Sequence, residues 1–158
     1  MRSHCKRLGA AAILVAGASS ANLAPAADLS DRTLRGTWAL FVEGHAGEPN
    51  ALGFPGETPL FAVATVTFDG RGGCESRDRI VIGNQEIPDA APNSPGGFRE
   101  AIECTYTVEP DGTGSFTVTF PQAGQTVATF VIRNRRELFF IANNTELGVY
   151  GGGTMKRR

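Results

Sequence analysis

The chain has 158 residues, enough for one domain with a single hydrophobic core and little else. Its 15 basic and 16 acidic residues nearly cancel, and no basic stripe runs along the sequence, which argues against a nucleic-acid partner. The basic run Lys156-Arg157-Arg158 ends the chain and is interpreted as a solvated tail.

Residues 1–26 have the features of a secretory signal peptide. Three basic residues precede an apolar stretch at 8–16, and Ala24-Pro25-Ala26 offers a small-residue cleavage site. The apolar stretch is much shorter than the roughly 20 residues of a spanning helix, so no membrane span is predicted. We therefore predict export, to the periplasm or the medium, and a mature domain at 27–158. Its net charge is near −4, because all 16 acidic residues remain while the 15 basic ones lose those three.

About eight short runs rich in β-branched and aromatic residues follow, without any segment of helical period. They lie at 36–43, 60–69, 74–82, 98–108, 115–120, 126–133, 137–142 and 148–156. Strands must bury their apolar faces by closing on themselves or by stacking as two sheets. The pattern therefore predicts an all-β fold, a single closed up-and-down antiparallel barrel of about eight strands. The alternative is a two-sheet β-sandwich.

The connections of such a barrel differ in length between its two ends. The long Gly- and Pro-rich connections 44–59 and 83–97 fall at one end, and the short turns 70–73 and 109–114 at the other. Loops on a rigid barrel end are a usual place for a ligand site. The long-loop end also carries acidic residues and no Lys or Arg, which favours a neutral or cationic ligand. These acidic residues are Glu48, Glu57, Glu86, Asp89 and Glu146.

Cys74 and Cys104 are the cysteines that remain once the leader is removed. An even pair in an exported protein predicts a disulfide, rather than a reactive thiol with a bystander. Closing a loop of this length would stabilise the fold by about 3–4 kcal/mol on the chain-entropy model.

The cysteine pairing also predicts the register of the third and fourth strands. Directly opposed cysteines place Asp78 opposite Glu100. The same register brings Glu75 against Glu103, and it opposes two arginines as well, which is unfavourable. The conflict is left open, with a bulge at 72–73 as one remedy.

Asp78 and Glu100 are the weak candidates for catalysis. If they face the lumen, they and Ser76 are its polar group, and two adjacent carboxylates suit acid–base chemistry. The favoured interpretation is that they pair with neighbouring arginines or lie in solvent. Those arginines are Arg77, Arg79 and Arg99.

Gly36-Thr37-Trp38, in the first predicted strand, resembles the Gly-x-Trp that begins the first strand of calycins, the lipocalin and avidin group of barrels. In lipocalins a basic residue near the C-terminus lies across this Trp, and the resemblance gives that place to Lys156 or Arg157. Three longer segments are similar to small exported bacterial proteins that have no assigned activity. They lie at 64–70, 104–114 and 153–157. The resemblance implies a calycin-like barrel, of the lipocalin, avidin or allene-oxide-cyclase kind, and brings no catalytic residues with it.

The predicted ligand site is the lumen, reached from the long-loop end. We expect a small, largely apolar ligand and no cofactor; a three-histidine zinc site is excluded because His45 is the single histidine of the mature chain, and no metal is predicted. The residues predicted to line the site are Trp38, Leu40, Ala62, Ala64, Val66, Phe116, Val118 and Phe130. Those predicted at its mouth are His45, Glu57, Asn84 and Gln85.

Three functions fit such a barrel, because a fold alone does not assign one. A lumen with space for a small ligand predicts a binding protein, which is the favoured interpretation. A lumen filled by its own side chains predicts a structural or interaction protein of the cell envelope. An isomerase or cyclase acting by confinement is the least favoured, so enzymatic activity is not expected. The oligomeric state is left open.

Overall fold

A computed structural model describes residues 29–47, 53, 55–83, 85–86, 97–121 and 123–158. The predicted leader 1–26 lies outside these residues, as does much of the two long connections. The described chain is almost entirely β-strand. None of its helices is long and apolar enough to cross a membrane.

The strands form one antiparallel sheet in which long strands adjacent in sequence pair with each other. Their order across the sheet is β4-β3-β2-β1-β10-β9-β8-β7-β6, so the last strand returns to the first. This confirms the predicted all-β, up-and-down arrangement. The elements are α1 (Asp31–Leu34), β1 (Gly36–Ala46), β2 (Thr58–Phe68), β3 (Cys74–Ile82), β4 (Gln85–Glu86), β5 (Arg99–Glu100), β6 (Glu103–Val108), β7 (Thr113–Phe120), β8 (Gly124–Asn134), β9 (Glu137–Asn144) and β10 (Val149–Arg157).

The sheet closes into a barrel where β5 and β6 return to β3, a junction that we call the seam. Two residues of β5 pair with β3, and Gly73 bridges to Thr105. The disulfide between Cys74 and Cys104 spans the seam with Cα atoms 4.9 Å apart, which confirms the predicted bond. The β-sandwich alternative is not formed, because one sheet supplies both walls.

The predicted register of the seam is correct at the disulfide and wrong beyond it. Asp78 lies opposite Arg99 instead of Glu100, and Glu100 lies opposite Arg77. This arrangement removes the opposed arginines of the predicted register and places opposite charges across the ladder.

A one-residue irregularity between β5 and β6 causes this shift. The predicted strand 98–108 is interrupted at Ala101 and Ile102, and Ala101 N donates to Ser76 O at 2.9 Å. Ile102 and Glu103 therefore lie across from a single β3 residue, which is the arrangement of a β-bulge. The bulge is thus not at 72–73, the position considered from the sequence. Every residue on the β5 side of it faces the surface opposite to the predicted one.

The end of the barrel with the short turns is closed by α1, and we call it the sealed end. Leu34 of α1 is fully buried, and Trp38 Nε1 donates to Leu34 O at 2.7 Å. The Tyr106 hydroxyl donates to Asp31 O at 3.0 Å. The Arg157 guanidinium lies 5.7 Å from the centre of the Trp38 ring, so a basic residue does cross this Trp, as the resemblance implied. The single-turn α1 was not predicted.

The opposite end carries the longer connections, as predicted, and we call it the loop end. Gly83 N donates to Pro59 O at 2.7 Å, so the connection that leaves β3 starts beside the one that enters β2. The first strand is longer than predicted, running to Ala46 instead of 43, because His45 still pairs with Tyr150 of β10.

Candidate functional site

A cavity of about 90 Å³ lies inside the barrel, in the half next to the loop end. A water molecule needs about 10–15 Å³ and drug-sized pockets have about 300–1,000 Å³, so this cavity suits a small molecule. Its walls are mostly apolar. They include Leu40, Leu60, Ala62, Ala64, Phe116, Val118, Phe120 and Phe140.

The residues predicted to line the site divide between this cavity and the core of the sealed end. Five of the eight lie on the cavity: Leu40, Ala62, Ala64, Phe116 and Val118. The other three, Trp38, Val66 and Phe130, are packed in the core and do not reach it. Alternation along each strand identified which side chains point inward. It does not show at which level of the barrel those side chains become too short to touch across the lumen.

Side-chain size explains why only this half of the lumen is open. The inward residues near the loop end include Ala62, Ala64 and Ala142, which are too short to meet across the barrel. Large side chains fill the sealed half to the close packing of a protein interior. The fully buried ones there include Trp38, Phe68, Leu138 and Met155.

β3 contributes a polar group to the cavity wall. Ser76 and Asp78 are both buried and both line the cavity. Arg99 of β5 holds Asp78 in a bidentate ion pair, with Nε 2.8 Å from Oδ1 and Nη2 2.7 Å from Oδ2. The Arg99 guanidinium also lies 4.6 Å from the centre of the Phe120 ring. This part of the wall is therefore polar, while the charge of Asp78 is balanced by Arg99 behind it.

Glu100 does not join Asp78, so the predicted pair of carboxylates is not formed in the lumen. Its side chain is exposed and lies opposite Arg77 on the outside of the barrel. The favoured interpretation of Asp78, pairing with a neighbouring arginine, agrees with its contact to Arg99. Among the described residues, no three His, Cys, Asp or Glu side chains are grouped so as to hold a metal ion.

Asn144, which was not among the predicted site residues, fixes the rim of the cavity. Its Nδ2 donates to Ala123 O at 2.7 Å and lies 3.1 Å from Thr126 Oγ1, while its Oδ1 accepts from Leu147 N at 2.9 Å. These bonds tie the β7–β8 and β9–β10 turns together at the loop end. The sequence carried little signal for this role, because the predicted strand ended two residues earlier, at 142.

The described mouth residues have different surroundings. Glu57 Oε1 accepts from the hydroxyl of Tyr150, a cavity-lining residue, at 3.1 Å, and this hydrogen bond raises the pKa of Tyr150. His45 is exposed on the outside of the barrel, with its ring centre 6.0 Å from that of Tyr150. Gln85 is exposed, and Asn84 lies outside the described residues. Tyr150 lies directly opposite His45 in the sheet, so its side chain is on the same outer face, beside the mouth.

No protein-family model matches the chain, and no curated protein matches it either. Among solved structures, the chain is similar to EF1p2_mFAP2b bound to DFHBI, at 14% sequence identity and a TM-score of 0.48. That similarity covers 81% of this chain and 98% of the other. The case for a function rests on the cavity.

Proposed function

We propose that the protein binds a small, largely apolar, neutral molecule in the cavity at the loop end. The observation that carries this proposal is the contrast between the two halves of the lumen. One half is packed solid around Trp38, while the other keeps an apolar space at the end with the longer connections. Moving apolar surface from water into such a space is favourable by about 25 cal/mol per Å².

The cationic ligands that the acidic loops favour are not part of this proposal. Asp78 is the acidic residue on the cavity wall, and its charge is already balanced by Arg99. A cation in the cavity would lose its hydration without gaining a new counter-charge, which is costly. Acidic residues at the loop end, such as Glu57, still disfavour an anion on its way in.

We propose that this binding takes place outside the cytoplasm. The Cys74–Cys104 disulfide is compatible with an oxidising compartment, since such bonds persist there and are rare in the cytosol. The predicted cleavage after Ala26 supports the same destination. N-terminal sequencing of the protein recovered from the exported fraction tests it: a chain that starts at Ala27 is expected, and an intact leader would contradict export.

Native mass spectrometry of the full chain, expressed with its leader in the source organism and purified from the exported fraction, tests the binding. We expect an added mass from a small molecule that leaves on mild activation. Ala62→Leu should abolish it by filling the cavity, whereas Ala39→Leu, the same change on the outer face of β1, should retain it. The proposal is overturned if no molecule co-purifies and no small apolar compound binds, or if Ala62→Leu leaves binding intact.

A further inference from the structure

The Ser76 hydroxyl stands out among the polar groups of the cavity wall. The residue is only 7% exposed, yet no described residue forms a hydrogen bond with its hydroxyl. No fully enclosed side-chain nitrogen or oxygen among the described residues lacks a partner, so this oxygen is not fully enclosed, and Ser76 is one of the residues that line the cavity. Buried hydroxyls are normally hydrogen-bonded, because one without a partner loses its hydrogen bonds to water and gains none from the protein. The hydroxyl is therefore available to a ligand.

The surroundings of Ser76 define what that ligand can carry. The Asp78–Arg99 pair beside it has no net charge, and the other side chains that line the cavity include several alanines and phenylalanines. A serine hydroxyl both donates and accepts, so it recognises a neutral oxygen such as a hydroxyl or a carbonyl. An ionised group would be buried among apolar walls without a partner charge.

We infer that Ser76 is a specificity-determining residue, and that the ligand is a compact neutral molecule with one hydroxyl or carbonyl oxygen directed at its hydroxyl. This inference rests on the proposed function, because it concerns the same cavity. The cavity volume of about 90 Å³ limits the apolar part to a small ring or a short branched chain. The polar oxygen then lies on the β3 side, and the apolar part contacts residues such as Ala62, Phe116 and Phe140.

Phenol, toluene and benzoate test the inference, because the three probes share one ring and differ in the group attached to it. Their affinities are measured by ligand-observed NMR titration of the full chain with its disulfide formed. Ser76→Ala should weaken phenol about fivefold to tenfold, the value of one hydrogen bond, and should leave toluene unchanged. The matched control is Ser115→Ala, which changes a serine on the outer face of β7. It should leave the affinities for phenol and toluene unchanged. Benzoate should bind more weakly than phenol.

The outcomes separate this inference from the proposed function. If Ala62→Leu abolishes binding of both neutral probes but Ser76→Ala weakens neither or weakens both equally, the role of Ser76 is wrong and the binding site stands. Benzoate binding as tightly as phenol also overturns the inference, since the wall then accepts a charge. If no probe binds the wild-type chain, or Ala62→Leu has no effect on them, the proposed function itself fails. Trp38 fluorescence verifies that each variant is folded, because this Trp is buried in the sealed end.

Discussion

Arg99 is buried at the seam, where its guanidinium bonds to Asp78 through two N–H groups. Two charges taken out of water are tolerated only while each compensates the other. Replacing one of them leaves the other charge buried and unpaired in surroundings of low dielectric constant. The free-energy cost of that unpaired charge is much larger than the net contribution of the intact pair to stability. The exposed pair Arg133–Glu137, with the arginine side chain 60% exposed, is a natural contrast.

We expect Arg99→Ala to lower the free energy of unfolding by about 3–5 kcal/mol, because it strands the Asp78 carboxylate inside the barrel. Arg133→Ala, the control, should lower it by less than about 1 kcal/mol, since water screens that pair. Urea unfolding followed by Trp38 fluorescence measures both. Equal losses in the two variants would show that the buried pair has no special role.

Tyr106 gives the protein a second residue-scale property, which appears at alkaline pH. Burial raises the pKa of its phenol above the ordinary 10.0, and the Asp31 and Asp69 carboxylates act in the same direction. Backbone hydrogen bonds offset part of this effect. Below pH 10 the phenol is neutral in both states and contributes no pH dependence. Above pH 10 the phenol loses its proton in the unfolded chain but keeps it in the folded protein. The free energy of unfolding therefore decreases as the pH rises, until the pH passes the pKa of Tyr106 in the folded state.

We therefore expect stability to fall as the pH rises above 10, and Tyr106→Phe to reduce that fall. Tyr150→Phe should leave most of it, because Tyr150 is exposed and owes its raised pKa chiefly to Glu57. The urea midpoint measured on both sides of pH 10 checks this. An absorbance titration of the phenolates assigns the two groups, since the chain has 2 tyrosines. A fall that persists undiminished in Tyr106→Phe would contradict the assignment.

Among the elements, β10 depends most on residues without a side chain. It contains Gly151, Gly152 and Gly153, and it pairs along its whole length with β1. A Cβ built at Gly153 overlaps the carbonyl oxygen of Phe41 on β1, and neither backbone can move without breaking the ladder between them. The glycines are therefore required for the close approach of these two strands.

Gly153→Ala should consequently lower the free energy of unfolding by more than about 2 kcal/mol, since the overlap is with backbone rather than with a flexible side chain. Gly47→Ala is the matched control. Its added Cβ would lie 3.3 Å from the Tyr150 ring and 3.6 Å from Gly148 O, so the change should cost less than about 1 kcal/mol. Thermal unfolding of the two variants tests this prediction. Similar melting temperatures for the two would contradict the requirement for glycine at position 153.

The strands were predictable from the sequence, because period-2 alternation and Asp-Gly turns depend on residues close together in the chain. The inward faces of β1, β2 and β7 followed from the same pattern. The bulge at Ala101 and Ile102 did not, since it is decided by which charges meet across the seam. The extent of the cavity was also beyond local patterns, because it depends on which side chains meet across the lumen.

The molecule as a whole has two unequal halves inside one barrel. Around Trp38 and Met155 the lumen is filled by fully buried side chains, and we expect that half to supply most of the stability. Around Ala62 and Ala64 it is under-filled, and that half supplies the space. The two tasks are thus separated along the barrel axis, so a substitution should affect mainly one of them according to its distance from the loop end.

Two identical changes test this separation. Leu138→Ala, in the sealed half, should cost about 3–5 kcal/mol, because it opens a new void beside a fully buried side chain. Leu60→Ala, on the cavity wall, should cost less, about 2 kcal/mol, because it widens a space that already exists. Urea unfolding gives both values. Leu60→Ala should also admit bulkier probes than phenol in the NMR titration, and equal costs with unchanged probe size would contradict the division.

The bulge between β5 and β6 also decides which charged groups face the lumen. Without the bulge, pairing that continued in step from the disulfide would turn Arg99 towards solvent and Glu100 into the lumen. A carboxylate would then stand beside Asp78 in place of its guanidinium partner, and one of the two acids would hold its proton near neutrality. The bulge thus separates a cavity with a neutral wall from one that would carry a proton-exchanging pair of acids.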